Sequence, residues 1–149
     1  MAKAYYSTIF DQSADAVWSV LRDFNAYRVF LDNTESHIED GKTGETVGAV
    51  RNVTVGERNV RQQLMAHSDI ERTYSYRFCP PSPLPVSDFL AQIKVTPVVD
   101  GNRAFIEWSA TFDCIPEEAE RWRTHYAQAF AGWLASLRRN VEGPIAVAA

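Results

Sequence analysis

From Ser36 to Asp113 the chain carries six strand-like runs in succession with no helical period between them, and this order constrains the fold more than any other feature. The runs are SHIED, ETVGAVRNVTV, NVRQQLMAH, RTYSYRF, DFLAQIKVTPVV and RAFIEWSATF. A parallel pair needs a crossover of about a dozen residues or more, so strands joined this closely predict an antiparallel meander. Asp40-Gly41 and Asp100-Gly101-Asn102 are tight-turn sequences, because glycine supplies the positive φ that hairpin turns require.

Helical patterns flank the meander. AYYSTIF at 4–10 reads as a first strand, and Ser13 then precedes ADAVWSVLRDF, where Ala14, Val17, Trp18, Leu21 and Phe24 recur at helical spacing. Ser13 suits the N-cap, and Asp15 lies in the first turn, where the dipole favours an anion. AYRVFL at 26–31 reads as a second short helical piece. After the last strand, PEEAERWRTHYAQAFAGWLASLRRNV opens with Pro116 and three glutamates, and ends on Arg138 and Arg139. Trp122, Tyr126, Phe130, Trp133, Leu134 and Leu137 form one stripe along it, which needs a large apolar partner. The concave face of the sheet is the surface available. The closing GPIAVAA reads as frayed. The expected fold class is α+β, a seven-stranded curved antiparallel sheet wrapped around a long C-terminal helix, with two short helices between strands one and two.

At 149 residues the chain fits one domain, 1–149, large enough to bury a core without staples. A net charge of −4 with no basic stripe argues against a nucleic-acid partner. No apolar run is long enough for integral membrane association, and MAKAYYSTIF lacks the order of a signal peptide, so a cytoplasmic location is expected. Cys79 and Cys114 form no CxxC, no histidine pair has zinc spacing, and no GxSxG, HExxH or phosphate-cradling loop occurs. Two reduced thiols, no metal and no cofactor are expected.

SADAVWSVLRDF in the first helix, GAVRNVTV in the third strand, PLPVSDFLAQIKVTP leading into the sixth and IEWSATFD in the last stand in the order of the helix-grip fold. The chain resembles the SRPBCC/START-like superfamily, which includes START domains, pollen-allergen-like proteins and bacterial polyketide cyclase/dehydrase and lipid-transport proteins. The last group is the nearest, and it also resembles plant abscisic-acid receptors, whose gate and latch loops correspond to Gly56–Asn59 and Cys79–Asp88. The receptor-type gate and latch sequences are absent, so hormone sensing is not implied. The resemblance implies a ligand cavity and leaves the ligand open.

Hairpins alternate between the ends of a meander, so loops 56–59, 79–88 and 113–117 share one end, which is the expected mouth. CPPSPLPVSD holds four prolines and reads either as a rigid lid with Leu84 as its plug or as a simple connection. Alternation along the strands assigns the inner wall. The third strand gives Val47, Ala49, Arg51, Val53 and Val55, the fourth Gln62, Leu64 and Ala66, and the fifth Tyr74, Tyr76 and Phe78. Phe89, Ala91, Ile93 and Val95 follow from the sixth, then Ile106, Trp108, Ala110 and Phe112 from the seventh. The helix adds Trp122, Tyr126, Phe130 and Trp133. This largely aromatic wall suits a small hydrophobic molecule with flat rings or a hydrocarbon body.

Arg51 falls among valines, where an unpaired charge costs on the order of several kcal/mol. It is either a cationic anchor for a ligand oxygen, one half of an internal ion pair with Glu39 or another strand acid, or turned outward by a bulge. Gln62, Tyr74 and Tyr76 offer neutral hydrogen bonds to ligand or to nearby backbone. His37, His67 and His125 assemble no catalytic site and read as surface or rim residues.

Three functions fit these residues. The first is binding or transport of a lipid, polyketide-like or aromatic metabolite. The second is a polyketide cyclase/aromatase or dehydratase working in the same cavity, with Arg51 and a tyrosine as electrophile and proton relay. The third is a protein-interaction module whose core is filled by Trp108, Trp122, Phe130 and Trp133, a reading favoured by a cavity smaller than about 300 Å³.

Overall fold

The computed structural model describes residues 1–148, with side chains through 142. β1 (Ala2–Phe10) leads to α1 (Ala14–Leu21), a 3-10 turn (Tyr27–Val29) and β2 (Thr34–Ile38). β3 (Val50–Val55), β4 (Arg58–Ser68), β5 (Thr73–Phe78), β6 (Ser87–Val98) and β7 (Arg103–Asp113) follow, and α2 (Ala119–Ala148) closes the chain. The seven strands form one antiparallel sheet in the order β1-β7-β6-β5-β4-β3-β2. α2 lies against its inner face, which makes this the helix-grip fold. The expected fraying at 143–149 falls on residues whose side chains, and at 149 the backbone, lie outside those described.

Local chemistry places the elements as the residues suggest. The Ser13 hydroxyl accepts from the Ala16 N–H at 3.1 Å and caps α1. α1 buries Ala14, Val17, Trp18 and Leu21. Along β7 every second residue from Ala104 to Phe112 is buried, and these side chains meet Trp122, Tyr126, Phe130, Leu134 and Leu137 of α2 in one core. The β6–β7 hairpin turns through Gly101 at φ 85° and Asn102 at φ 51°, both in the region that glycine and asparagine tolerate.

Two irregularities break the simple alternation. Gly48, at φ 93°, donates to the Leu64 carbonyl while Leu64 donates to the Ala49 carbonyl, so two residues oppose one. Ala49 stays inside, and Val47, expected on the same wall, swings out to 57% exposure. In β4 the register skips Met65, since Leu64 pairs with Tyr76 and Ala66 with Ser75. Beyond that bulge the faces exchange. Ala66 is exposed rather than inward, and His67 turns in opposite Tyr74, its side chain 7% exposed and its ring 5.5 Å from Trp18. His67 is therefore an inner residue at the closed end, not a surface one.

That closed end is tied by Asp69. Its carboxylate accepts from Trp18 Nε1 at 2.9 Å and from Arg22 Nε and Nη2 at 2.9 and 2.8 Å, with His67 Nε2 at 3.1 Å. The Arg22 hydrogen bonds first, then the Trp18 N–H, hold the Asp69 carboxyl well below the usual carboxylate range. A carboxyl lowered by folding adds stability that is complete above its unfolded value and is lost as pH falls towards the folded one. Asp69→Asn should therefore cost about 1 kcal/mol at neutral pH, since the site is largely exposed. The penalty should shrink between about pH 5 and pH 2. Urea midpoints across that window test it, and a penalty independent of pH would show that the charge is not what matters.

Candidate functional site

The mouth end carries a cavity of about 230 Å³ between the β3–β4 hairpin, the end of β5, the 79–86 loop, the 27–31 segment and α2. Its wall is formed by Tyr27, Leu31, Val53, Val55, Arg58, Val60, Gln62, Phe78, Pro83, Leu84, His125, Tyr126, Ala129 and Trp133. Larger hollows of about 420 Å³ (Asn25, Arg28, Glu35, Ser36), 380 Å³ (Asp32, Gln128, Ser136, Arg139) and 310 Å³ (Arg77, Pro80, Ser82, Asp88) have more polar rims. The 230 Å³ cavity is a half-open hollow between sheet and helix, lined mostly by apolar side chains, and it lies where the long loops gather.

From the expected wall, Val53, Val55, Gln62, Phe78, Leu84, Tyr126 and Trp133 border the cavity, and Leu84 reaches it from the proline-rich loop. Arg51, Leu64, Tyr74, Tyr76, Phe89, Ala91, Ile93, Trp108, Ala110, Phe112, Trp122 and Phe130 are buried but do not border it. The reason is aromatic packing. Trp108 stacks on Phe130 with centroids 5.1 Å apart and planes 7° from parallel, and Phe30 meets its edge at 4.9 Å. Phe89 and Phe112 lie 5.0 and 5.3 Å from Tyr126. Trp108 Nε1 donates to the Tyr76 hydroxyl at 3.2 Å, which engages Tyr76 deep in the core. These rings occupy the space that a simple barrel would leave open between β5–β7 and α2.

Alternation in β4 extends to Val60 and Arg58, which share the face of Gln62 and complete the wall, although the sequence reading stopped at Gln62. Tyr27 and Leu31 were missed because the 27–31 turn gives no period to follow. Ala129 lies one helical turn from Tyr126 and Trp133, too small to register in an aromatic stripe.

Arg51 is 1% exposed and has no carboxylate partner among the described residues. Glu39, an expected partner, instead accepts from Arg61 at 2.7 and 2.8 Å and from Asn52 at 3.1 Å, because it lies just past the end of β2, beside the outward-facing Arg61. The Arg61 hydrogen bonds lower its carboxyl to about 2. Arg51 uses neutral acceptors: Nη1 donates to the Phe24 carbonyl at 2.9 Å, while Nε, at 2.9 Å, and Nη2 both donate to Gln62 Oε1. Its guanidinium carbon sits 3.9, 4.7 and 5.4 Å from the ring centroids of Phe24, Tyr27 and Tyr76, a three-ring cation–π cage. Phe24 is itself positioned by its N–H bond to the Gly44 carbonyl at 2.9 Å.

Tyr126 borders the cavity with its ring, while its hydroxyl is enclosed by the surrounding packing and has no hydrogen-bond partner among the described residues. Burial raises its pKa, so the hydroxyl keeps its proton at neutral pH and is a donor. Among the described residues no group of His, Cys, Asp and Glu is arranged to hold a metal, and no helix is long and apolar enough to cross a membrane. Cys79 and Cys114 are free thiols.

Residues 1–142 match the protein family described as polyketide cyclase / dehydrase and lipid transport. No curated protein matches the sequence significantly. Among solved structures, a protein from Thermobifida fusca is 27% identical with a TM-score of 0.83, covering 95% of this chain and 93% of its own. The di-domain ARO/CYC protein BexL is 17% identical, with a TM-score of 0.78 over 95% of this chain and 47% of its own. Norcoclaurine synthase from Thalictrum flavum, in complex with dopamine and hydroxybenzaldehyde, is 16% identical with a TM-score of 0.75, covering 95% of this chain and 86% of its own. The last two share the fold.

Proposed function

Since the chain belongs to the polyketide cyclase/dehydrase and lipid-transport family, we propose that it binds a small, largely apolar molecule in the mouth cavity. The observation that carries this reading is the composition of the wall: mostly apolar side chains, with the polar side chains of Tyr27, Arg58, Gln62, His125 and Tyr126 among them. Such a wall holds a hydrophobic body and orients it by one polar contact. The volume of about 230 Å³ is below the roughly 300 Å³ typical of ligand pockets, and on size alone it favours the filled-core module. The aromatic stack accounts for that: it fills the depth of the barrel and leaves space only at the mouth. The ligand class that fits is therefore a compact ring system, and long acyl chains do not fit.

The alternative, a cyclase or dehydratase acting in the same cavity, is supported by the family rather than by the site, since the Tyr126 hydroxyl is enclosed by packing and out of reach of a substrate carbonyl. Native mass spectrometry of freshly purified protein, followed by analysis of an organic extract, tests the binding reading. A mass excess of one compact compound that disappears on denaturation is expected. Co-purification of long-chain lipid alone would count against the compact-ring assignment, and a protein that neither retains a compound nor takes up the two-ring probe naphthalene would count against the cavity as a binding site.

A further inference from the structure

The geometry points to a carboxylate as the polar group of the ligand, held by the Gln62 amide; this rests on the cavity being the binding site. Gln62 is 5% exposed and its amide cannot rotate freely, because Oε1 accepts two bonds from Arg51. Its Nε2 is then turned away from Arg51 and has no partner among the described residues, while the side chain borders the cavity. The two Nε2 hydrogens of Gln62 therefore stand at the cavity as donors without a partner among the described residues, and a donor left unpaired away from bulk water is costly.

Charge decides which acceptor they take. The cavity wall holds no Asp or Glu, and Arg58 and His125 stand on it. Behind Gln62, Arg51 is a buried cation with neutral partners only. Arg51 thus brings a cationic group behind the inner wall with no carboxylate partner among the described residues. An anion seated on Gln62 Nε2 is one amide away from Arg51, and Arg51 polarises that amide. Arg51 thus acts as a positioning residue and Gln62 as the contact.

Gln62→Glu is the informative variant. It is nearly isosteric and gives Arg51 a carboxylate partner, so the fold is kept while the donor becomes an acceptor and the counter-charge is supplied from within. 2-Naphthoate and its neutral analogue 2-naphthamide are titrated by calorimetry, with naphthalene as an uncharged probe of the apolar wall. Naphthoate should bind wild type about tenfold tighter than the amide. Gln62→Glu should weaken naphthoate at least about tenfold and leave naphthalene binding, which uses no polar contact, in place. Equal affinity for acid and amide, or naphthoate binding unaffected by Gln62→Glu, would overturn the carboxylate assignment while leaving the apolar site standing. Naphthalene, acid and amide all failing to bind wild type would remove the site itself, and this inference with it.

Discussion

Trp108→Ala is expected to lower folding stability by about 4 kcal/mol, at the large end for a single core truncation. Trp108 is 2% exposed and stands where β7, α2 and the 27–31 segment converge. It touches Phe130, Phe30 and Trp133 at 5.1, 4.9 and 5.2 Å between centroids. Its removal forfeits the transfer energy of the indole, leaves a void that three fixed elements cannot close, and takes from the buried Tyr76 hydroxyl the donor it faces. Urea denaturation gives the magnitude, and a change below about 2 kcal/mol would mean that the ring stack collapses around the loss. A second readout is ligand size. The void opens beside Trp133, a cavity wall residue, so the variant should accept bulkier compounds than wild type.

Gln62→Leu is expected to cost about 3 kcal/mol, more than the roughly 2 kcal/mol expected for Arg51→Met. The asymmetry follows from what each leaves behind. Without Arg51 the interior holds two neutral acceptors short of a donor, the Phe24 carbonyl and Gln62 Oε1, whereas without Gln62 it holds a desolvated cation whose remaining hydrogen-bond acceptor is the Phe24 carbonyl. Adding Arg51→Met to Gln62→Leu should therefore restore stability by about 1 kcal/mol or more, although it removes a further polar side chain. Unfolding midpoints of the two single variants and the double variant form the cycle. A double variant as unstable as the sum of the singles would mean that the two side chains act independently and that the three aromatic rings alone sustain the cation.

The architecture was legible because each hairpin announces itself. Glycine-bearing turns and alternating runs allow one pairing pattern, and the stripe on α2 has one surface to cover. The wall of the site was legible only in part. Alternation states which side chains point inward, and Val53, Gln62, Trp108 and Phe112 all do. It does not state which inward side chains meet a neighbour and which meet empty space. That depends on ring-on-ring contacts such as Trp108 with Phe130, made between residues 22 positions apart in different elements. Parity also fails after a bulge: one extra residue at Met65 moved Ala66 out and His67 in, and no turn residue marks that insertion. For Arg51 the buried position was readable, but the partner was not. Glu39 is near in sequence and correct in charge, yet it lies just past the end of β2, where its carboxylate is taken by the outward-facing Arg61.

The pairing of β1 with β7 joins the first ten residues to a strand that ends at Asp113. During synthesis, at about 5–20 residues per second, β1 leaves the ribosome roughly 5–20 seconds before its only strand neighbour exists. Through that interval the nascent chain displays an aromatic strand with unfilled backbone hydrogen bonds, a template for other chains. β3 to β7 can assemble as each hairpin is completed, whereas β1 must wait for the last of them. The hazard of misassembly for this chain is thus a matter of waiting time, concentrated in the strand that is made first and docked last.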